Sequence, residues 1–89
     1  MYALICTDKP NALEIRKANR DDHLAYIEAS GVVAQAGPFL DAEGAMYGSL
    51  VTLNVDTLEA AQAWASGDPY AKAGLFADVR IEAWKKVIG

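Results

Sequence analysis

The sequence predicts an α+β domain, a four-stranded antiparallel sheet with helices on one face. Three observations carry that prediction. Short apolar runs and helix-like stretches follow one another in the order β-α-β-β-α-β, the split βαβ or ferredoxin-like pattern. The chain has 89 residues, 53% hydrophobic and 22% charged, which is ordinary globular composition with room for one core and one domain, residues 1–89. The prolines and glycines sit at the ends of these stretches, where turns belong. A multidomain enzyme, a dinucleotide-binding fold and an eight-stranded α/β barrel all need a longer chain.

The elements follow in order. Tyr2 to Thr7 is apolar and bounded by Asp8-Lys9-Pro10, as a buried strand is. Asn11 with Glu14 three residues on fits a capping pattern and opens a short helix to Lys17. Asn19 caps a second helical stretch, Arg20 to Ser30, with Leu24 and Ile27 facing the core and Gly31 as its left-handed stop. Val32 to Ala36 reads as the second strand, ended by Gly37-Pro38, and Phe39 to Met46 as an exposed loop. Tyr47 to Val55 is the third strand, with Ser49, Val51, Leu53 and Val55 on one face and Leu50 and Thr52 on the other. Asp56-Thr57-Leu58-Glu59 opens a helix through about Ser66, with Leu58, Ala61, Trp64 and Ala65 in one stripe. Gly67 ends it, Asp68-Pro69 starts a short helical turn, and Val79 to Val87 is the last strand.

Helices on one face leave the other to water, and it should then read polar. Both parities of the first strand are apolar instead, and Leu50 faces away from Val51 and Leu53. The expected cover is a second copy of the chain, giving a homodimer packed sheet to sheet.

The charge balance excludes several partners. Lys and Arg number 8 against 12 Asp and Glu, a net charge of −4. That leaves no basic footprint for nucleic acid and disfavours an anionic membrane surface. One cysteine, Cys6, and one histidine, His23, exclude an internal disulfide and Cys- or His-rich metal sites, so no metal and no cofactor is expected. No basic leader and no apolar run of about 20 residues is present, so a cytoplasmic location is expected.

The chemistry-bearing candidates are few. His23 is the one imidazole and the natural general acid or base; its plain reading is a structural histidine. Asp68 is the natural N-cap of the turn at Pro69, and its second carboxylate oxygen could orient His23 as in a catalytic triad. Arg16, Arg20 and His23 share one face on a continuous helix, where a guanidinium pair could hold an anionic substrate. Salt bridges to Glu14 or Asp22 are the alternative, and Asn19 could interrupt the face. Gly37-Pro38 is a turn or a point of close ligand approach, and Tyr70 a phenolic donor or a packing aromatic. Trp64 and Trp84 read as core or interface anchors, and Cys6 as inert. Ser49 has no histidine at triad-like spacing, and no glycine-rich phosphate loop exists.

Asp8-Lys9-Pro10, Leu13-Glu14-x-Arg16, Arg20-x-x-His23-Leu24, Ala36-Gly37-Pro38, Leu58 to Ala65, Asp68-Pro69-Tyr70, Ala73-Gly74 and Lys85-Lys86-Val87 stand in that order. This ordered set resembles the YciI-like, or YCII-related, family over essentially the whole chain. The resemblance implies a ferredoxin-like fold assembled as a dimeric α/β barrel. It also implies a cleft in which His23 and Asp68 lie together, with Arg20, Arg16 and the strand-end Gly37 and Pro38 around them. The resemblance further implies a set of small-molecule enzymes, with relatives resembling muconolactone isomerase and a chloromuconolactone dehalogenase, beside other members that look like stand-alone or fused domains of unassigned role. The Phe39–Met46 loop is shorter than the family's, so substrate choice does not carry over.

The expected function is acid–base catalysis of an isomerase or lyase type on a small anionic organic acid or lactone. His23 transfers the proton, Asp68 orients it, and Arg20 or Arg16 holds the anion. The rival is a non-catalytic dimer binding a small ligand or a protein, in which His23 and Asp68 need not touch. A third reading, haem binding, predicts a visible absorption change on haem titration.

Overall fold

Alternation along the central strands decides which face of the sheet is which. In the computed structural model, which describes Met1–Gly89 throughout, β1 (Tyr2–Asp8) lies antiparallel to β3 (Met46–Leu53) on one side and β4 (Phe76–Ala83) on the other. β2 (Val33–Leu40) pairs with the outer edge of β3, so the sheet order is β2-β3-β1-β4. Directly opposed residues share a face. Leu4 opposes Val51 and Cys6 opposes Ser49, and these line the face covered by α1 (Leu13–Ser30), α2 (Leu58–Gly67) and the single turn α3 (Pro69–Lys72). This is the expected ferredoxin-like order, with α3 as the short helical turn expected at Asp68-Pro69. The sheet is open and does not close on itself. No helix is long and apolar enough to cross a membrane.

The core lies beneath α2. Leu4, Cys6, Val51 and Leu53 pack against Ala61 and Trp64, with Tyr26 and Ile27 of α1 on its flank. Burying one large apolar side chain contributes about 1.5–3 kcal/mol, so this cluster dominates stability. A second cluster, Ala12, Tyr70 and Leu75, seats α3. The two long helices are tied directly. The Tyr26 hydroxyl donates to the Trp64 carbonyl at 2.8 Å, and Trp64 Nε1 donates to Ser30 Oγ at 3.0 Å. Gly67 is required there, because a Cβ would collide with the Tyr26 hydroxyl.

Several boundaries differ from the sequence expectation. The two stretches expected over 11–17 and 20–30 form one helix, because Asn19 donates to the Ile15 carbonyl at 2.9 Å and caps nothing. Asn11 is no cap either. It adopts a left-handed φ of 57°, and Ala12 opens the helix without a side-chain bond. Gly31 ends α1 at φ 67°, as expected. β2 runs through Gly37-Pro38 to Leu40. An edge strand tolerates the N–H that proline lacks, and β2 is the edge. The loop shrinks to a turn in which Asp41 Oδ1 accepts from Glu43 N at 2.8 Å and Ala45 N at 3.0 Å. β4 starts at Phe76 and stops at Ala83, opposite Tyr2; one more bond, from the Trp84 N–H to the Met1 carbonyl at 3.0 Å, uses up the β1 side. At α2, Thr57 Oγ1 accepts from Ala60 N at 3.1 Å, so the threonine of the expected capping sequence is the cap.

The open face is more mixed than the apolar strands imply. Its centre holds Ala3, Ile5, Leu50 and Thr52, but the register puts Asp78, Arg80 and Glu82 of β4 beside them.

Candidate functional site

α1 turns an unusual face to the sheet. Its two buried residues are Arg16 and His23, seven apart, two turns on one side of the helix. With the helix unbroken at Asn19, Arg20 falls on the same side, and Lys17 stands beside it. Leu24 is not core-facing as expected: it stays exposed at the cavity rim, while Ile27 packs on the core. Between this face of α1, strands β2 and β3, and Tyr70 of α3 lies a cavity of ≈ 240 Å³. Ala36, Gly37 and Pro38 form its β2 wall, Ser49 and Val51 its β3 floor.

His23 is fixed from two directions. Its Nδ1 lies 2.7 Å from Asp68 Oδ1, across 45 residues of sequence. The same Oδ1 accepts the Tyr70 N–H at 3.0 Å, so a single oxygen caps α3 and holds the histidine. The sequence predicts the cap and the histidine on different oxygens of Asp68; the structure puts both on Oδ1. An ionised carboxylate is acceptor-only, so Nδ1 is the donor, and in the neutral imidazole Nε2 then carries the lone pair. Tyr70 stacks flat on the imidazole, with ring centroids 3.9 Å apart and planes 14° from parallel. Nε2 has no protein partner and borders the cavity. His23 sits mid-helix, not in a first turn after an Asn19 cap, so the electrostatics of a helix N-terminus do not act on it.

Arg16 anchors the other end. Its Nε and Nη2 donate to the two oxygens of Asp8, each at 2.8 Å, and Nη2 also donates to Ser49 Oγ at 2.9 Å. The guanidinium carbon lies 4.9 Å from the Tyr70 ring centre. Burial opposes the charge on Arg16, and the hydrogen bonds and attraction of Asp8 more than offset it, so its pKa is raised. Burial also raises the Tyr70 phenol; Arg16 and Arg20 pull it down and Asp68 pushes it up, leaving it raised and protonated at neutral pH. Cys6 is pushed up to about 12 by burial and then by Asp68 and Asp8, in keeping with its expected inertness.

Six of the seven candidate site residues read from the sequence line this one cavity, and the seventh contacts one of them. His23, Arg16, Arg20, Gly37, Pro38 and Tyr70 line it, and Asp68 stands behind His23. Neither Arg20 nor Lys17 forms an ion pair, so the alternative of salt bridges to Glu14 or Asp22 is not what the helix adopts. Three residues were missed: Asp8, read only as a strand end; Ser49, considered only as a nucleophile; and Lys17. The parity that put Ser49 with Val51 and Leu53 was the available signal.

The sequence of residues 1–85 matches the YCII-related domain. The chain belongs to the YCII-related family. Among this family's curated relatives, an uncharacterised protein of Haemophilus influenzae is 39% identical, with 97% of each chain covered. Protein YciI of Escherichia coli O6:H1 is 35% identical, with 98% of each covered. A solved structure, 5-chloro-2-hydroxyhydroquinone dehydrochlorinase (TftG) from Burkholderia phenoliruptrix AC1100 in complex with 2,5-dihydroxybenzoquinone, superposes with a TM-score of 0.85. It is 34% identical over 96% of this chain and 94% of its own. The YCII-related chain described here is thus similar over nearly its whole length to an enzyme of small-molecule chemistry.

Proposed function

We propose that this protein is a small-molecule enzyme in which His23 moves a proton. The observation that carries the reading is the buried His23–Asp68 pair at 2.7 Å, with Nε2 turned to a cavity of ≈ 240 Å³. Asp68 and the Tyr70 stack hold one ring orientation and one tautomer, so Nε2 is ready to accept a proton without rearrangement. Asp68 then stabilises the imidazolium that forms. The substrate is a small ring compound with an acidic hydrogen and an anionic group. The volume suits a single ring, and the mouth offers the unpaired cations Arg20 and Lys17. TftG, with its ring-shaped dihydroxybenzoquinone, supports that class and an isomerase- or lyase-type reaction.

The test is a turnover screen of small lactones, hydroxyquinones and cyclic organic acids with wild type, His23→Ala and Asp68→Asn. The expected result is turnover that both substitutions cut by about 10²-fold or more. Full turnover by His23→Ala would overturn the mechanism. Ligand binding that survives His23→Ala with no turnover by any variant would favour the binding-module alternative.

The open sheet face supports a homodimer as part of the same proposal. Ala3, Ile5 and Leu50 at its centre need cover, and a second sheet laid there would complete a dimeric barrel. Sedimentation at micromolar concentration is expected to give twice the chain mass; a single-chain mass would remove the proposal.

A further inference from the structure

We propose that Ser49 and Arg16 form an oxyanion-binding pair on the floor of the cavity. It receives the substrate oxygen on which negative charge builds as His23 removes a proton. This rests on the acid–base reading of His23 and narrows the substrate to a ring carbonyl compound with an acidic hydrogen beside the carbonyl.

Arg16 has five N–H groups in a fixed fork. Asp8 takes one from Nε and one from Nη2, and Ser49 Oγ takes the other from Nη2. The Tyr70 hydroxyl stands within reach of the guanidinium, so at most one of the two on Nη1 is taken and at least one has no protein acceptor. Ser49 Oγ accepts from Arg16, so its own hydrogen must go elsewhere, and no protein group accepts it. Both residues are 3% exposed, and both line the cavity that His23 lines. No enclosed side-chain nitrogen or oxygen lacks a partner, so the spare Arg16 donor reaches open space, and the cavity that Arg16 and Ser49 both line is that space.

Charge separates this pair from the cations at the mouth. Asp8 binds Arg16 through both oxygens and neutralises it, so the pair presents aimed donors rather than a net positive charge. Such donors suit an oxygen that gains charge only during reaction. A permanently ionised group belongs with Arg20 and Lys17, which carry uncompensated charge. Arg16 and His23 are two helical turns apart, about 10 Å along the axis. One ring fits between inward-reaching side chains at that spacing, with its acidic hydrogen at Nε2 and its carbonyl oxygen at Ser49.

In the reacting step the C–H bond next to the carbonyl breaks and its proton goes to Nε2. The electron pair forms a C=C bond, and the carbonyl π pair moves to oxygen. Ser49 O–H and an Arg16 Nη1–H hold that oxygen as it becomes an enolate. Return of the proton to a different carbon is an isomerisation. Expulsion of an anion from the neighbouring carbon is an elimination.

The experiment compares wild type, Ser49→Ala, Ser49→Thr and His23→Ala, using 2,5-dihydroxybenzoquinone as an absorbance probe of binding and any substrate found in the turnover screen. For Ser49→Ala the expectation is about tenfold weaker probe binding and a fall in kcat of about 10²-fold. Ser49→Thr keeps the hydroxyl and restores most of both. His23→Ala binds the probe but does not turn over. Wild-type probe affinity in folded Ser49→Ala overturns the pair, whatever His23→Ala does. Retained turnover in His23→Ala overturns the acid–base reading, and probe binding still judges the pair. Should Ser49→Ala fail to fold, the infrared carbonyl stretch of the probe bound to wild type decides. A shift to lower wavenumber than in water supports the pair, and an unshifted band contradicts it.

Discussion

α1 and α2 lie on the same sheet and bury opposite kinds of residue. α2 sends Ala61 and Trp64 into an apolar cluster with Leu4, Val51 and Leu53. α1, nearly twice as long, sends down Arg16 and His23. Arg16 is held by Asp8 and Ser49, and His23 by Asp68 and Tyr70. Taking such groups from water is expensive, and paired charges at best offset the cost. A helix serving stability alone would carry leucine at these positions. The contrast divides the fold: the α2 side supplies stability, and the α1 side spends part of it on a polar cavity.

That division can be broken at either end. Trp64→Ala is expected to lose about 3–5 kcal/mol in urea unfolding, the largest stability effect of the set. A loss below about 1 kcal/mol would mean the apolar cluster is not the anchor. Arg16→Ala leaves the Asp8 carboxylate buried without its partner and should cost about 3 kcal/mol or more. The double change Arg16→Met with Asp8→Leu should recover most of that stability while weakening binding of the 2,5-dihydroxybenzoquinone probe at Ser49. His23→Ala should lower turnover by about 10²–10⁴-fold, with a smaller stability change than Trp64→Ala. Equal damage to stability would blur the contrast between the helices. An effect absent at neutral pH and confined to the alkaline range concerns Cys6. Burial, then Asp68 and Asp8, raises its folded pKa to about 12, so the folded state keeps a proton that the unfolded chain releases from about pH 9. Stability should fall as pH rises between those values, by at most about 1.4 kcal/mol per pH unit from this thiol. Cys6→Ala should flatten that alkaline decline, read from unfolding midpoints at pH 9 and 11.

Local signals were legible in the sequence, and tertiary ones were not. Asp68-Pro69 is a cap signature complete within two residues, and the structure uses it as such. The order of elements, the Gly31 stop and the Arg16, Arg20 and His23 spacing are equally local. The apparent break at Asn19 was misleading, because an asparagine can cap a helix or bond back to the preceding turn, and packing of the continuous helix decides. The end of β4 depends on the length of β1, which lies at the other end of the chain. Ser49 takes its place beside Arg16 across 33 residues, a contact no local pattern announces. Its parity showed that it faced inward, but not that an arginine waited there.

The central claim is that Asp68 fixes His23 with Nε2 bare toward the cavity. Nitrogen-15 NMR of the ring at pH 8.5 tests it most directly, since His23 is the one histidine and gives one set of signals. The account predicts a hydrogen on Nδ1 and a lone pair on Nε2, with that preference lost in Asp68→Asn. A hydrogen on Nε2 with Nδ1 bare, unaltered in Asp68→Asn, would contradict it.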